Sequence, residues 1–272
     1  MPNETQDELY PTGRLNMSPL WCWRVAAASV RGTSHEKVGQ LCQDAHHWQK
    51  LPEGVLVAAV ADGAGSAPLG KVGAIVASQT AVETICTANA NLHLIQEEQE
   101  WQQILGQALE AAKAAVEAEA GVCGRQARDL ASTLIIVVAT PELIAAVQVG
   151  DGLAVAGDRA GNTISLTSPE RGEYINETTF LVSPHALDKT QISLWRGATS
   201  NIAVFSDGLQ MLAVNMNDGT PYIPFFSPLF QFMSSIEDEN EAKEQLAAFL
   251  RSPRITERTD DDLTLLLATL VS

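Results

Sequence analysis

Residues 132–158 read STLIIVVATPELIAAVQVGDGLAVAGD. Three apolar runs, rich in β-branched residues, are parted by Pro141-Glu142 and Asp151-Gly152, and runs bounded by such turn residues predict strands. The joints are too short for the crossover that parallel strands need, so the strands are expected to pair as antiparallel hairpins. The same texture continues through TISLT (163–167), TTFLVS (178–183), QISLW (191–195) and NIAVFS (201–206), with Gly161-Asn162 at a further joint.

WCWRVAAASVRG (21–32), VLVAAVA (55–61) and LTLLLATL (263–270) add an opening, an early and a closing strand. Helical periodicity covers Lys71 to about Asn89 and Glu97 to Gly121, where Trp101, Ile104, Leu105, Leu109, Ala112 and Val116 form one apolar stripe. A later helical region is interrupted at PYIPFFSP (221–228) and resumes as a charged helix from Glu237 to Arg251. Strands at both ends, with helices early and late, predict an α+β fold: a four-layer α/β/β/α sandwich of two antiparallel β-sheets flanked by helices. Residues 1–18 read as an N-terminal extension and 19–272 as one domain.

With 46% hydrophobic and 18% charged residues the chain can bury a sizeable core. Its formal charge of −16 and pI near 4.6 oppose nucleic acid and anionic membranes as partners. The N-terminus has no basic start leading into an apolar region, and no long uninterrupted apolar run occurs, so a cytoplasmic location is expected. Cys22, Cys42, Cys86 and Cys123 lack CxxC or zinc spacing and are expected as reduced core residues.

Asp62, Asp151 and Asp207 each follow an apolar run, while Asp261, within Asp260-Asp261-Asp262, stands just before one. In antiparallel pairing the end of one strand lies beside the start of its neighbour, so these carboxylates can converge at one edge, with Asp44 ahead of the Val55 strand joining them. Gathered carboxylates repel and raise one another's pKa, and hard oxygens of this kind suit Mg²⁺ or Mn²⁺ rather than zinc. Glycine after the acid, as in Asp62-Gly63, Asp151-Gly152 and Asp207-Gly208, allows sharp turns and close approach of a carbonyl. Singly, each Asp-Gly also reads as a hairpin turn, Asp151-Gly152 above all.

Gly65-Ser-Ala-Pro-Leu-Gly-Lys71 matches the phosphate-binding G-x-x-x-x-G-K between a strand and a helix. The next residue is Val72 where that motif needs Ser or Thr for Mg²⁺, and Pro68 removes a backbone N–H from the cradle.

QDA (43–45), VADGAGS (60–66), STLIIVV (132–138), VGDG (149–152), FSDGL (205–209) and DDLTLLL (261–267) occur in the order seen in metal-dependent type 2C Ser/Thr protein phosphatases. The chain resembles that family, its bacterial branch in particular, from about residue 24 to 270. The resemblance implies a β-sandwich flanked by helices that hydrolyses phosphoserine and phosphothreonine, using water activated at a centre of two Mn²⁺ or Mg²⁺ ions with a looser third. It implies that Asp62 bridges the two ions with the Gly63 carbonyl on one of them, and that Asp207 and Asp261 complete the other's shell. Asp44 matches an early metal-site aspartate, Asp151 a ligand of the third ion, and Asp262 a position next to the ligands. A phosphoprotein substrate and a cognate Ser/Thr kinase are the partners implied.

Several positions depart from the family pattern. Ala64 stands where many relatives carry a histidine that is a candidate general acid, so leaving-group protonation falls to water or another side chain. Gln43 replaces the usual Glu, and the usual phosphate-binding Arg is missing from GTSHEKVGQLCQD (32–44), leaving His35, Arg31 or Lys37 as substitutes, His35 first. His46 and His47 are not expected as ligands. RGEYINETTFL (171–181) resembles a flap bordering the substrate. A catalytically silent domain that binds a phosphoprotein or regulator is the alternative.

Overall fold

The computed structural model describes residues 21–88, 91–158, 161–168, 178–215 and 218–271. In chain order its elements are β1 (Cys22–Val30), α1 (Thr33–Val38), β2 (Ala45–Leu51), β3 (Val55–Ala61), α2 (Gly70–Ala88), α3 (Glu98–Val122), β4 (Leu134–Ala139), β5 (Leu143–Val149), β6 (Leu153–Gly157) and β7 (Thr163–Ser165). They continue with β8 (Gln191–Arg196), β9 (Asn201–Phe205), α4 (Gln210–Ala213), α5 (Ile223–Ser235), α6 (Glu239–Leu250), α7 (Pro253–Thr256) and β10 (Leu263–Val271). One sheet runs β1-β10-β9-β6-β7 and the other β2-β3-β4-β5-β8, all pairs antiparallel. The expected fold class is the observed one.

The unbroken apolar runs follow from burial on both faces of the central strands. Val57 and Ala59 of β3 and Ile136 and Val138 of β4 pack with Leu105 and Leu109 of α3, whereas Leu56, Ala58, Ile135 and Val137 turn to the other sheet and meet Val204 and Leu266. In the second sheet Leu265 and Leu267 of β10 pack with Phe226 of α5 and Leu246 of α6. Each apolar side chain so enclosed contributes about 1.5–3 kcal/mol relative to exposure.

Pro141-Glu142 joins β4 to its neighbour β5, and Gly161-Asn162 joins β6 to β7, as the sequence predicts. Asp151-Gly152 is not a hairpin turn: β5 belongs to one sheet and β6 to the other, so this joint crosses the sandwich. A short joint excludes a crossover within one sheet but permits a step between two.

TTFLVS forms no strand; its backbone turns, with the Leu181 N–H donating to the Ser132 carbonyl at 2.8 Å. PYIPFFSP does not interrupt a helix but begins one, with Pro224 in the first turn of α5, where N–H groups lack partners anyway, and Pro228 inside it. The cysteines are not core residues: Cys22 and Cys123 are exposed, Cys42 and Cys86 half-buried, and all four are free thiols. The extension over residues 1–18 lies outside the described residues, and no helix among those described is long and apolar enough to cross a membrane.

Candidate active site

Pairing puts the acids together. Ala45 of β2 faces Ala61 of β3, so Asp44 and Asp62, one residue beyond, meet at that sheet's edge. Phe205 of β9 faces Leu265 of β10, which sets Asp207 beside the residues that enter β10, Asp261 and Asp262. The sandwich stacks these two edges, and Asp62, Asp151, Asp207, Asp261 and Asp262 line one cavity of about 210 Å³ with Gly63, Ala64, Gly65, Thr133, Thr178, Phe180 and His35. Asp44 lies behind them, buried, and the Ser206 hydroxyl donates to its Oδ2 at 2.7 Å. A larger cavity of about 940 Å³ near Phe230 is lined, among the described residues, by a single acid, Asp158, so size does not mark the site.

The glycines after the acids are required by close approach, not by turn geometry, since neither Gly63 nor Gly208 has a positive φ. A Cβ on Gly63 would lie 2.4 Å from the Gly70 carbonyl carbon, and one on Gly208 2.3 Å from the Asp262 carbonyl oxygen. Thr133 secures the same loop in both directions: its N–H donates to the Asp62 carbonyl at 2.8 Å, and its hydroxyl accepts the Asp62 N–H at 3.0 Å. Gln43, turned with its amide nitrogen toward the carbonyls it faces, donates to Gly63 at 3.1 Å and Ala64 at 3.2 Å. Its backbone N–H donates to Asp262 Oδ2 at 2.5 Å. A glutamine suits that position because a carboxylate would face two carbonyl oxygens.

Burial, followed by the neighbouring Asp44 and Asp207 carboxylates, pushes the Asp62 carboxyl well above its ordinary range. Burial likewise raises Asp44 to about 7 and Asp207 to about 6, and moves Asp261 upward. Asp44 and Asp207 both act on the Asp62 carboxyl, which therefore carries the strongest repulsion of the group. Among the described residues no three Asp, Glu, His or Cys side chains already form a metal-holding group. Yet Asp44 Oδ1 and Asp207 Oδ1 are buried without a hydrogen-bond partner. Clustered hard oxygens, some lacking any donor, fit a divalent cation of the Mg²⁺ or Mn²⁺ type.

Lys71 lines a separate cavity of about 350 Å³ with Arg31, Cys42 and Arg251, away from Gly63–Gly65, so the G-x-x-x-x-G-K stretch does not form one phosphate cradle. Of the substitutes for the missing arginine, His35 alone lines the acidic cavity; Arg31 is exposed and 3.6 Å from Glu36, and Lys37 is exposed on α1. His46 hydrogen-bonds Ser29 at 2.9 Å outside the cavity.

Sequence reading gave no role to Ser206, Thr133, Thr178 or Phe180. The first two sit inside recognised motifs, Ser206 next to Asp207 and Thr133 in STLIIVV, which was the available signal. Thr178 donates to Asp151 Oδ2 at 2.6 Å and Gln210 donates to the Asp151 carbonyl, contacts that no spacing rule announces. Residues 171–177 of the flap-like stretch lie outside the described residues, while Thr178 and Phe180 border the cavity.

Residues 31–251 match the family model described as protein phosphatase 2C. This chain belongs to the protein phosphatase 2C family. Serine/threonine-protein phosphatase 3 of Escherichia coli (strain K12) is 34% identical over 257 residues, covering 90% of this chain and 98% of that protein. Among solved structures, PppA of Pseudomonas aeruginosa, titled a key regulatory component of T6SS, aligns with a TM-score of 0.60 at 20% identity over 93% of this chain and 99% of its own. The S. agalactiae serine/threonine phosphatase gives 0.60 at 15% identity over 91% and 99%. RsbX in complex with magnesium gives 0.52 at 15% over 92% and 96%. These likenesses carry the fold; the family carries the enzyme class, a serine/threonine protein phosphatase.

Proposed function

We propose that this type 2C phosphatase removes phosphate from serine and threonine of a phosphoprotein, with two Mn²⁺ or Mg²⁺ ions held by the clustered aspartates. The observation that carries the reading is the meeting of carboxylates from both sheets in one cavity, with buried oxygens of Asp44 and Asp207 unpartnered. Asp62 with the Gly63 carbonyl, Asp207 and Asp261 would hold the ions, Asp44 would back them, and Asp151 would hold a looser third. When bound, the cations offset the phosphate's charge and lower the pKa of a water molecule. Magnesium in the related RsbX structure supports the choice of metal. The remaining residues fix this donor set: Ser206 orients Asp44, Thr133 and Gln43 lock the Asp62 loop, and Thr178 and Gln210 aim Asp151.

A Ser/Thr kinase that makes the phosphoprotein is the expected counterpart, and a cytoplasmic location suits both. Ala64 favours the second reading, a silent domain that binds a phosphoprotein or regulator. The deciding measurement is hydrolysis of an aryl phosphate and a phosphothreonine peptide in EDTA, Mg²⁺ or Mn²⁺, with Asp62→Asn and Asp207→Asn alongside. Metal-dependent turnover abolished by both substitutions is expected; metal binding without turnover would select the silent domain.

A further inference from the structure

We propose that His35 is the general acid of this phosphatase, giving a proton to the serine or threonine oxygen as its bond to phosphorus breaks, a role that rests on the hydrolase reading above. An alkoxide is a poor leaving group and needs that proton in the transition state. The cavity offers few donors. Asp62, Asp151, Asp207 and Asp261 serve best as anions, Ala64 and Phe180 carry no exchangeable proton, the Thr178 hydroxyl is committed to Asp151 and Thr133 Oγ1 accepts the Asp62 N–H. Among the described residues lining the cavity, His35 is the one that carries a ring nitrogen able to hold and give up a proton as a donor.

Its setting is that of an oriented acid. His35 Nδ1 lies 2.9 Å from Asp262 Oδ2. Asp262 is buried, and its carboxylate is held by the Gly32 N–H at 2.7 Å and the Gln43 N–H at 2.5 Å. A carboxylate so placed accepts, which puts a proton on Nδ1 and leaves Nε2 as the ring nitrogen free to exchange. The backbone is pinned as well: the Ser34 N–H and hydroxyl both donate to the Asp260 carbonyl, at 2.9 and 2.6 Å, tying α1 to the acid-bearing entry of β10. In the step, a water oxygen bonds to phosphorus, the phosphorus–oxygen bond to the side chain breaks, and its electron pair takes the Nε2 proton. The water's surplus proton passes to solvent, which reprotonates Nε2. The sum is phosphomonoester and water to alcohol and inorganic phosphate.

The test compares wild type and His35→Gln on a phosphothreonine peptide, whose leaving group is an alkoxide, and on p-nitrophenyl phosphate, whose leaving group needs no proton, with Mn²⁺ binding followed by calorimetry. His35→Gln is expected to lower kcat on the peptide about 100-fold to 10,000-fold, and on the aryl ester no more than about tenfold, with Mn²⁺ binding retained. His35→Ala provides a second variant, in which added imidazole should restore peptide turnover. Equal losses on both substrates, no loss on the peptide, or no rescue by imidazole in a folded, Mn²⁺-binding His35→Ala protein would overturn the assignment. A wild type that binds Mn²⁺ but is inert on both substrates would overturn the hydrolase reading and this role with it.

Discussion

Gln43 shows how a single atom type is selected by its surroundings. Its amide meets the carbonyls of Gly63 and Ala64, next to buried Asp44. Gln43→Glu would set a carboxylate against two carbonyl oxygens, leaving acceptors without donors, which costs about 1–3 kcal/mol; urea unfolding in EDTA should show a loss of that size. Gly208 makes a stricter demand, because a methyl group there would press on the Asp262 backbone. Gly208→Ala is expected to lower stability by about 1–3 kcal/mol and to weaken Mn²⁺ binding, measured by calorimetry, since the Asp207 and Asp261 loops can no longer nest. Asp62, Asp151 and Asp207 were legible because each follows an apolar run, and Asp261 because it heads one. The contacts that aim them were not, since Ser206, Thr133 and Gln43 act across separations that only folding closes.

Among the elements, α3 was the most readable: its stripe repeats with helical spacing, and every residue named in it is buried. Trp101 is fully buried with its indole nitrogen unpartnered. Trp101→Ala should cost about 3–5 kcal/mol through the cavity it leaves. Trp101→Phe should cost under about 1.5 kcal/mol, because losing an unsatisfied N–H offsets part of the lost volume; thermal unfolding of the pair tests the contrast, and kcat should stay near wild type in both. Shorter elements misled. TTFLVS has strand composition yet turns, and PYIPFFSP has turn composition yet begins α5, because tertiary packing outweighs weak local preference over so few residues.

For the molecule as a whole, the acidic cavity stores repulsion that cations can relieve. The carboxyls of Asp44 and Asp207 are raised in the fold, to about 7 and about 6. Their stabilising contribution to the metal-free protein is therefore full below the ordinary carboxylate value and is lost as pH climbs through that window. His46, lowered to about 4 chiefly by burial, acts in the opposite sense, its contribution lost as pH falls from about 6.5. The difference in Tm between Mn²⁺ and EDTA largely cancels the histidine and isolates the carboxylates, which must shed protons to bind. That difference should grow from pH 5.5 to pH 7.5; a flat profile would place the cation elsewhere. Apolar runs and turn residues in the chain were enough to establish most of the strands and the layered class, since period and burial are written locally, but not β2, whose mixed polar sequence AHHWQKL carries no such run. Which joint crosses from one sheet to the other at Asp151-Gly152, which acids share a cavity, and that His35 rather than Lys71 or Arg31 faces them were decided by the stacking of the two sheets. Stacking brings together positions far apart in the chain through the total area it buries, and no local pattern of residues records that sum.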